Sequence, residues 1–435
     1  MKKTLISMAV AAAMAAPAAA MAEAILYGKL HVSIDYADVS NAAAVPTYNR
    51  NGTQLTKGLD FKGWGVNANG DYMPGAGRAN RVGVKGSEDL GNGLKAIYQV
   101  ELGVNFGDNN IPGGYNGISV RNSFVGLAGG FGSFLVGRHD TPLKISTGKL
   151  DMFADTMADY NGTVGFQDLR VDNGIAYISP SFSGFQFMGA LVAPGGATAD
   201  GAENVNSDQL NGAYSLAGIY SNGPFFASLA YESLSNEMFM NTAVSEAGDG
   251  VGVCRNAAGA RVGSCNYVGD DFNKWRIGLG LLDWNGFTLS AVYEDQSDLA
   301  PGQQWTSVRS GQPVYGTANS FDASTGAIPL DGFQGQSLWQ IQTAYAFGNN
   351  QVKAMYGQVS RDYDDNAVIK NAAPLGQTTS DAIGGDRNTW AIAFDHNFSK
   401  RTKAYVLYTE VDEDLENFVE GSDWSGFSMG MIHKF

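Results

Sequence analysis

The sequence lacks several features that mark other classes of protein. Beyond residue 22 it has no run of about 18 to 20 apolar residues, the length that a membrane-spanning helix needs, so a helical membrane protein is excluded. Only 4 histidines and 2 cysteines occur in 435 residues, and no zinc-binding spacing is present. Positive charge is also scarce, with 28 Lys and Arg against 43 Asp and Glu, which argues against a nucleic-acid partner.

The two cysteines, Cys254 and Cys265, lie in one loop-like stretch without a third or fourth ligand beside them. In an oxidising compartment they are predicted to form a local disulfide, and free thiols are the alternative if the geometry forbids pairing. Neither a metal site nor a redox centre is expected there, and the sequence indicates no cofactor.

The first 22 residues have the pattern of a secretory signal peptide. A short basic stretch at Lys2 and Lys3 precedes an apolar run, and Ala20-Met21-Ala22 is a small-x-small cleavage pattern. Cleavage is predicted after Ala22, which leaves residues 23–435 as one domain. An anchoring helix is the alternative, but the apolar run is too short for it. An exported chain without a later spanning helix is either a soluble secreted protein or a transmembrane β-barrel, because only helices and closed barrels satisfy their backbone in lipid.

Apolar and polar residues alternate over many segments of roughly 9 to 11 residues, the length with which a tilted strand crosses a bilayer. In the first segment one face carries Leu30, Val32 and Ile34. The other face carries His31 and Ser33. Aromatic residues stand at strand ends on the apolar face, where an interfacial girdle would lie: Tyr36, Tyr293, Tyr345 and Phe347.

Short and long connections alternate between these segments. The short ones are rich in Gly, Asn and Ser and lie near residues 92, 130, 182, 223, 285, 349 and 400. Short turns at one end and long loops at the other are typical of outer-membrane barrels. Seven turns and eight loops join strands into an all-β, antiparallel up-and-down barrel of sixteen strands. Eighteen strands is the alternative, if the segment Lys62–Tyr72 pairs.

Five passages carry a resemblance to a known family. They are AILYGKL at 24–30, RVGVKGSEDLGNGLKAIYQ at 81–99, RNSFVGL at 121–127, VGRHDTP at 136–142 and GMIHKF at 430–435. With them the chain resembles the Gram-negative general porins, such as those of Neisseria and Comamonas. The resemblance covers both ends of the chain and not its middle, where the loops 234–271 and 296–335 match nothing familiar.

The resemblance implies a sixteen-stranded homotrimer in the outer membrane of a Gram-negative bacterium. Each subunit would be a water-filled pore for passive diffusion of ions and small hydrophilic solutes, and its third extracellular loop, residues 140–170 here, would fold inward. Lipopolysaccharide, outer-membrane lipid and the barrel-assembly machinery are the implied partners. The final Phe435 resembles the aromatic signal that this machinery reads.

Charged residues on that loop are predicted to form one side of the pore constriction. The loop carries Lys144, Lys149, Asp151, Asp155 and Asp159. The aspartates recur every fourth residue, which predicts a short helical turn with one acidic face. Apolar residues of the loop are expected to pack this turn against the wall: Met152, Phe153 and Met157.

Basic residues of the wall are predicted to form the other side. Alternation places Arg81, Lys85 and Arg121 on inward faces. Arg138 shares parity with outward residues, and only the resemblance places it inward. Lys29 and Arg276 are further candidates. Cations facing carboxylates across a gap create a transverse field that favours small polar solutes.

Other functions are weaker alternatives. A substrate-specific outer-membrane channel is the nearest, with an aromatic track and a lid of long loops. An enzyme is not expected, because no nucleophile and base accompany the four histidines. The acidic stretch Asp362–Asp365 lacks the later Gly and Glu of an EF-hand, so specific calcium binding is not predicted. Ion selectivity stays open, with a slight lean towards anions.

Overall fold

The computed structural model describes twelve stretches of the chain: residues 23–40, 60–67, 78–104, 117–193, 210, 213–234, 272–297, 304–306, 313–314, 333–363, 385–415 and 423–435. The predicted signal peptide and the predicted Cys254–Cys265 disulfide lie outside these residues, as do most of the long connections. No helix within the twelve stretches has the length and hydropathy that crossing a membrane requires.

Alternating segments form twenty β-strands in the described residues. Their bounds are β1 (Glu23–Val39), β2 (Phe61–Val66), β3 (Arg81–Gly91), β4 (Leu94–Val104), β5 (Ile118–Val120), β6 (Ser123–Gly129), β7 (Gly132–Asp140), β8 (Arg170–Ile178), β9 (Phe185–Val192), β10 (Ala213–Asn222), β11 (Phe225–Leu234), β12 (Phe272–Trp284), β13 (Phe287–Ser297), β14 (Gln304–Thr306), β15 (Pro313–Val314), β16 (Phe333–Phe347), β17 (Asn350–Tyr363), β18 (Gly385–Asn397), β19 (Thr402–Leu415) and β20 (Trp424–Lys434). Eighteen of them belong to one sheet, and β14 and β15 pair separately. The seven predicted turns are confirmed between successive strands.

The large sheet closes on itself, because β1 pairs antiparallel with β20 from Lys29–Lys434 to Val39–Trp424. Two wall strands are in two pieces. β2 and β3 pair with the upper and lower parts of β1, and β5 and β6 both pair with β4. Because two wall strands are each divided into two pieces, the eighteen strands of the sheet form a wall of sixteen strands, as predicted. The segment that had suggested eighteen supplies β2, which is part of the second wall strand.

Two asparagines fill the gap between β2 and β3. The Ser33 N–H of β1 donates to Asn67 Oδ1 at 2.8 Å, and the His31 N–H donates to Asn80 Oδ1 at 2.5 Å. Side-chain oxygens thus replace the carbonyls that a continuous strand would offer to buried N–H groups. Arg78 lies behind them with its Nη2 2.8 Å from Asp35 Oδ1.

The two faces of the wall differ as the alternation predicts. Large apolar side chains are exposed on the outer face, for example Val125 with 66% of its surface exposed. Inward residues such as His31 and Asp35 are wholly buried. Aromatic pairs lie along the outer face, as expected for interfacial girdles: Phe134–Tyr177, Phe185–Tyr220, Trp275–Tyr293, Trp339–Tyr356 and Trp390–Tyr408.

The final residue packs on the seam of the barrel. The Gly28 N–H donates to the Phe435 carbonyl at 3.1 Å, and the Phe435 N–H donates back to the Gly28 carbonyl at 3.2 Å. A Cβ on Gly28 would overlap the Phe435 ring and lie 2.7 Å from the Arg81 carbonyl oxygen. Only glycine fits this approach without displacing its neighbours.

Gly28→Ala is therefore expected to destabilise the closed barrel by about 1 to 3 kcal/mol, the usual cost of overpacking. The measurement is the temperature at which the purified barrel loses its folded mobility on a gel. Gly130→Ala is the matched control, since a Cβ there meets nothing within 4 Å. Equal unfolding temperatures for the two variants would contradict the close-packed seam.

Candidate functional site

The segment 141–169, between β7 and β8, contains two short helices, α1 (Pro142–Thr147) and α2 (Tyr160–Thr163). Thr141 caps α1 by accepting the Lys144 N–H, and Pro142 suits its first turn. Asp159 caps α2 by accepting the Asn161 N–H at 2.9 Å. The chain from 150 to 158 forms turns.

The predicted helical turn across Asp151, Asp155 and Asp159 is wrong. Asp155 has φ of +62°, in the left-handed region that a right-handed helix cannot contain. The three aspartates consequently face different surroundings. Asp151 accepts from Gln342 Nε2 at 2.9 Å, while Asp155 is directed towards β1 and β3.

Apolar side chains of this segment fit against glycines of the wall. A Cβ at Gly278 would lie 2.6 Å from Leu150 Cδ1, and one at Gly357 would lie 2.7 Å from Val164 Cγ2. Met157 packs in the same way on Gly426. Phe153 and Met157 of the segment are wholly buried, and Met152 is partly buried beside them.

Arg276 of β12 is a large buried side chain that binds the segment to the wall. It is wholly buried, with Nε 2.5 Å from Glu294 Oε2 on the neighbouring strand. Its Nη1 lies 2.6 Å from Asp168 Oδ1 and donates to Thr147 Oγ1 at 2.9 Å. Its guanidinium carbon also lies 5.2 Å from the Phe166 ring centroid. Arg276 therefore binds both ends of the segment to the wall and does not line open space.

This pairing keeps Asp168 ionised. Burial alone would raise the pKa of the Asp168 carboxyl, but the charge of Arg276 outweighs burial and holds that pKa below its ordinary value.

Further hydrogen bonds attach the segment to strands from β10 to β17. They are Leu143 N–H to Ser215 Oγ (3.1 Å), Lys274 Nζ to the Gln167 carbonyl (2.8 Å), Ser290 Oγ to the Leu150 carbonyl (2.8 Å), Gln342 Nε2 to Asp151 Oδ1 (2.9 Å) and Lys353 Nζ to the Met152 carbonyl (2.8 Å). Most of the segment's hydrogen bonds are thus made along one side of the wall, while Met157 packs on Gly426 of β20.

Four charged residues lie at the opposite side, on β1, β3, β4 and the link between β5 and β6, and Asp155 of the segment joins them. Asp155 pairs with Lys29, and Arg81 Nη1 lies 3.9 Å from Asp155 Oδ2. Arg81 Nε lies 3.8 Å from Glu101 Oε2, and Arg121 Nε lies 2.7 Å from Glu101 Oε1. The side chains of Arg81 and Asp155 keep 27% and 30% of their surface exposed, so water reaches both signs of charge. We call these five residues the charged cluster.

A β-bulge sets the direction of Arg121. Leu102 pairs with Val120 but Gln99 pairs with Phe124, so the strand containing Arg121 has one extra residue. At such a bulge consecutive side chains depart from alternation. Arg121 and Asn122 both make contacts with inward residues here: Arg121 with Glu101, and Asn122 Nδ2 with Asp140 Oδ2 at 2.9 Å.

The other basic residues that were predicted for the constriction do not belong to the charged cluster and make separate contacts. Lys85 lies over the Tyr27 ring, 5.1 Å from its centroid, and Lys149 lies 6.0 Å from the Phe226 centroid. Lys144 Nζ is 3.1 Å from Asp140 Oδ1. Arg138 Nη1 instead pairs with Asp172 at 2.6 Å.

Arg138 is not brought to the charged cluster. It has the parity of Phe134 and Val136, whose side chains are exposed on the outer face, and it also donates to the Val120 carbonyl. The contacts of Arg138 therefore agree with the outward direction that the alternation indicates, and not with the inward direction that the resemblance implies.

Asp151 and Asp159 are buried within the segment. Burial raises the pKa of the Asp159 carboxyl to about 7, and the negative charge of Asp155 acts in the same direction. Burial also raises the pKa of Asp151 well above its ordinary value, with the Asp159 charge adding to the effect.

Sequence reasoning missed three participants. Glu101 and Tyr27 were not predicted as members of the site, where the Tyr27 hydroxyl donates to Glu101 Oε2 at 2.9 Å. Arg170 pairs with Asp140 at 2.9 Å just after the segment ends. The only available signal was inward parity for the first two, and none existed for Arg170. Within the twelve described stretches, no group of three or more His, Cys, Asp or Glu is placed to hold a metal ion.

Comparison with known proteins gives concordant matches. A family model described as Gram-negative porin matches residues 9–415. The major outer membrane protein P.IB of Neisseria meningitidis serogroup B (strain H44/76) is 34% identical over 228 residues, which are 52% of this chain and 57% of that protein. An outer membrane porin protein of Bordetella pertussis is 26% identical over 455 residues and covers 100% of both chains. The anion-selective porin from Comamonas acidovorans has the same fold, with a TM-score of 0.55, 19% identity and coverage of 95% of this chain and 100% of that one.

Proposed function

Because the chain belongs to the Gram-negative porin family, we propose that it forms a water-filled channel in the outer membrane for passive diffusion of ions and small hydrophilic solutes. The observation that carries the proposal is the charged cluster, in which the partly exposed Asp155 of the segment meets the partly exposed Arg81 on the inward face of a closed barrel. A polar lumen inside an apolar outer face is the arrangement of a porin.

The segment 141–169 is proposed to narrow this channel. It is fixed to the strands from β10 to β17, and Asp155 reaches from it towards Lys29 and Arg81. The narrowest passage would then run between the segment and the wall that carries Arg81 and Arg121. Solutes in transit would meet donors and acceptors in place of part of their hydration shell.

The cluster supports a weak preference for anions. Lys29, Arg81 and Arg121 give three positive charges, and Glu101 and Asp155 give two negative charges, so the five residues carry a net charge of +1. The chain as a whole carries −15. Charges beside the path of the ion act more strongly than distant ones, because salt screens interactions beyond about 10 Å. Selectivity should therefore follow the cluster rather than the total charge.

Assembly of the protein is also part of the proposal. Removal of residues 1–22, recognition of Phe435 by the barrel-assembly machinery, contact with lipopolysaccharide and association as a homotrimer are implied by the family resemblance. The position of the Phe435 ring on the barrel seam agrees with a terminal residue that acts at closure.

Reconstitution in planar bilayers tests the proposed function. We expect conductance that appears in steps of three, rises about linearly with salt and gives a reversal potential of weak anion preference. A saturating current that one solute blocks would instead support a substrate-specific channel. Absence of any conductance from folded protein would exclude both kinds of channel.

A further inference from the structure

Asp155 is held in an unusual backbone conformation beside the charged cluster. Its φ of +62° lies in the left-handed region, which Gly, Asn and Asp adopt more readily than other residues and which here has hydrogen-bond support. The support is a hydrogen bond from the Asp155 N–H to Asp159 Oδ2 at 2.6 Å. The same conformation directs the Asp155 carboxylate to Lys29 and Arg81.

Asp159 holds this turn from a buried position. Only 5% of its surface is exposed. Its two oxygens accept from backbone N–H groups, Oδ2 from Asp155 and Oδ1 from Asn161 at 2.9 Å. No Lys or Arg of the described stretches forms an ion pair with it. A buried carboxylate held by backbone donors alone gains a proton more readily than one paired with a cation.

Charged groups of both signs lie around Asp159, and the cations among them pair with other carboxylates. Asp155, Asp151 and Asp168 belong to the same segment; Asp168 is neutralised by Arg276, and Lys353 of β17 lies near Asp151. From the wall, Lys29 and Arg81 face Asp155 rather than Asp159. The nearest charges thus repel a negative Asp159, and its pKa of about 7 reflects burial first and Asp155 second.

We propose that Asp159 is a pH-responsive positioning residue of the constriction: when its carboxyl gains a proton it loosens its hold on the Asp155 N–H, and the channel becomes more selective for anions. This rests on the proposed channel function. The proton comes from water, and the change removes one negative charge from the segment. It also frees the Asp155 carboxylate to leave Lys29 and Arg81, so that Glu101 is the one remaining carboxylate of the charged cluster beside these cations.

The test is the reversal potential of the wild-type channel across a potassium chloride gradient, measured from about pH 5 to pH 9, a range that brackets the pKa of Asp159. The anion-to-cation permeability ratio should rise about threefold as the pH falls through a midpoint near 7, the size expected for one charge near the path. Asp159→Asn, which retains an oxygen for the cap but cannot titrate, should show the acidic ratio at every pH.

Two further variants separate this role from simple structural damage. Asp151→Asn is the matched control, because Asp151 is also buried but bonds to Gln342 and not to Asp155. The carboxyls of Asp151 and Asp159 interact, so the expected result is a rise in anion preference at low pH that persists in this variant, and not an identical midpoint. Asp155→Asn should lower the midpoint, since the charge of Asp155 raises the pKa of Asp159.

The outcomes are distinct. A conducting wild-type channel whose reversal potential does not change with pH overturns the role of Asp159 and leaves the proposed channel intact. A midpoint that persists in Asp159→Asn overturns it too. Folded protein that never conducts overturns the channel itself.

Discussion

Replacing Arg276 by methionine is expected to enlarge the channel and to destabilise the barrel. The change leaves Glu294 and Asp168 buried without their cation, which typically lowers the free energy of unfolding by about 3 to 5 kcal/mol. It also removes the bond to Thr147, so both ends of the segment 141–169 lose their shared anchor. Single-channel conductance should rise, and liposomes should admit larger sugars.

Arg387→Met is the matched control for this experiment. Arg387 is also buried and its Nη2 lies 2.8 Å from Glu413 Oε1, but this pair joins β18 to β19. We expect a similar loss of stability with unchanged conductance. If Arg276→Met behaves like the control, with lower stability and wild-type conductance, then Arg276 does not hold the segment in place.

The double variant Arg81→Gln, Arg121→Gln is expected to reverse the ion preference. Two of the three cations of the charged cluster are lost while Glu101 and Asp155 remain, so the net charge of the five residues changes from +1 to −1. A charge at about 4 Å alters the free energy of a passing ion by about 1 kcal/mol in water-like surroundings, which is about fivefold in permeability. The reversal potential should therefore shift towards cation selectivity.

Arg138→Gln provides the comparison for that measurement. Its guanidinium pairs with Asp172 and lies with outward residues, so the reversal potential should stay that of the wild type. A shift with Arg138→Gln as large as that of the double variant would place Arg138 in the constriction and would refute the assignment made from its contacts.

The barrel could be predicted because each strand and each short turn is specified by its own stretch of sequence. Each strand repeats the alternation of residues such as Leu30 and His31, and each short turn is marked by Gly, Asn or Ser, so sixteen strands can be counted without knowing which ones pair. The interruption of the second wall strand was not predictable, since Asn67 and Asn80 act through bonds to Ser33 and His31 on another strand.

The site was predictable only in part, for the same reason. Inward parity found Arg81, Lys85 and Arg121, and the resemblance selected the segment that faces them. Parity alone could not distinguish Arg276, which is wholly buried as an anchor, from Arg81, whose side chain keeps 27% of its surface exposed. The spacing of the aspartates suggested a helix because it carries no information on the left-handed turn at Asp155.

The glycines that contact the segment 141–169 make sequence change in the segment depend on sequence change in distant wall strands. Leu150 occupies space that a side chain at Gly278 would need, and Met157 does the same at Gly426. Residues in contact do not change independently, because the effect of one substitution depends on the other. The segment can therefore diverge among related barrels only together with strands far from it in sequence.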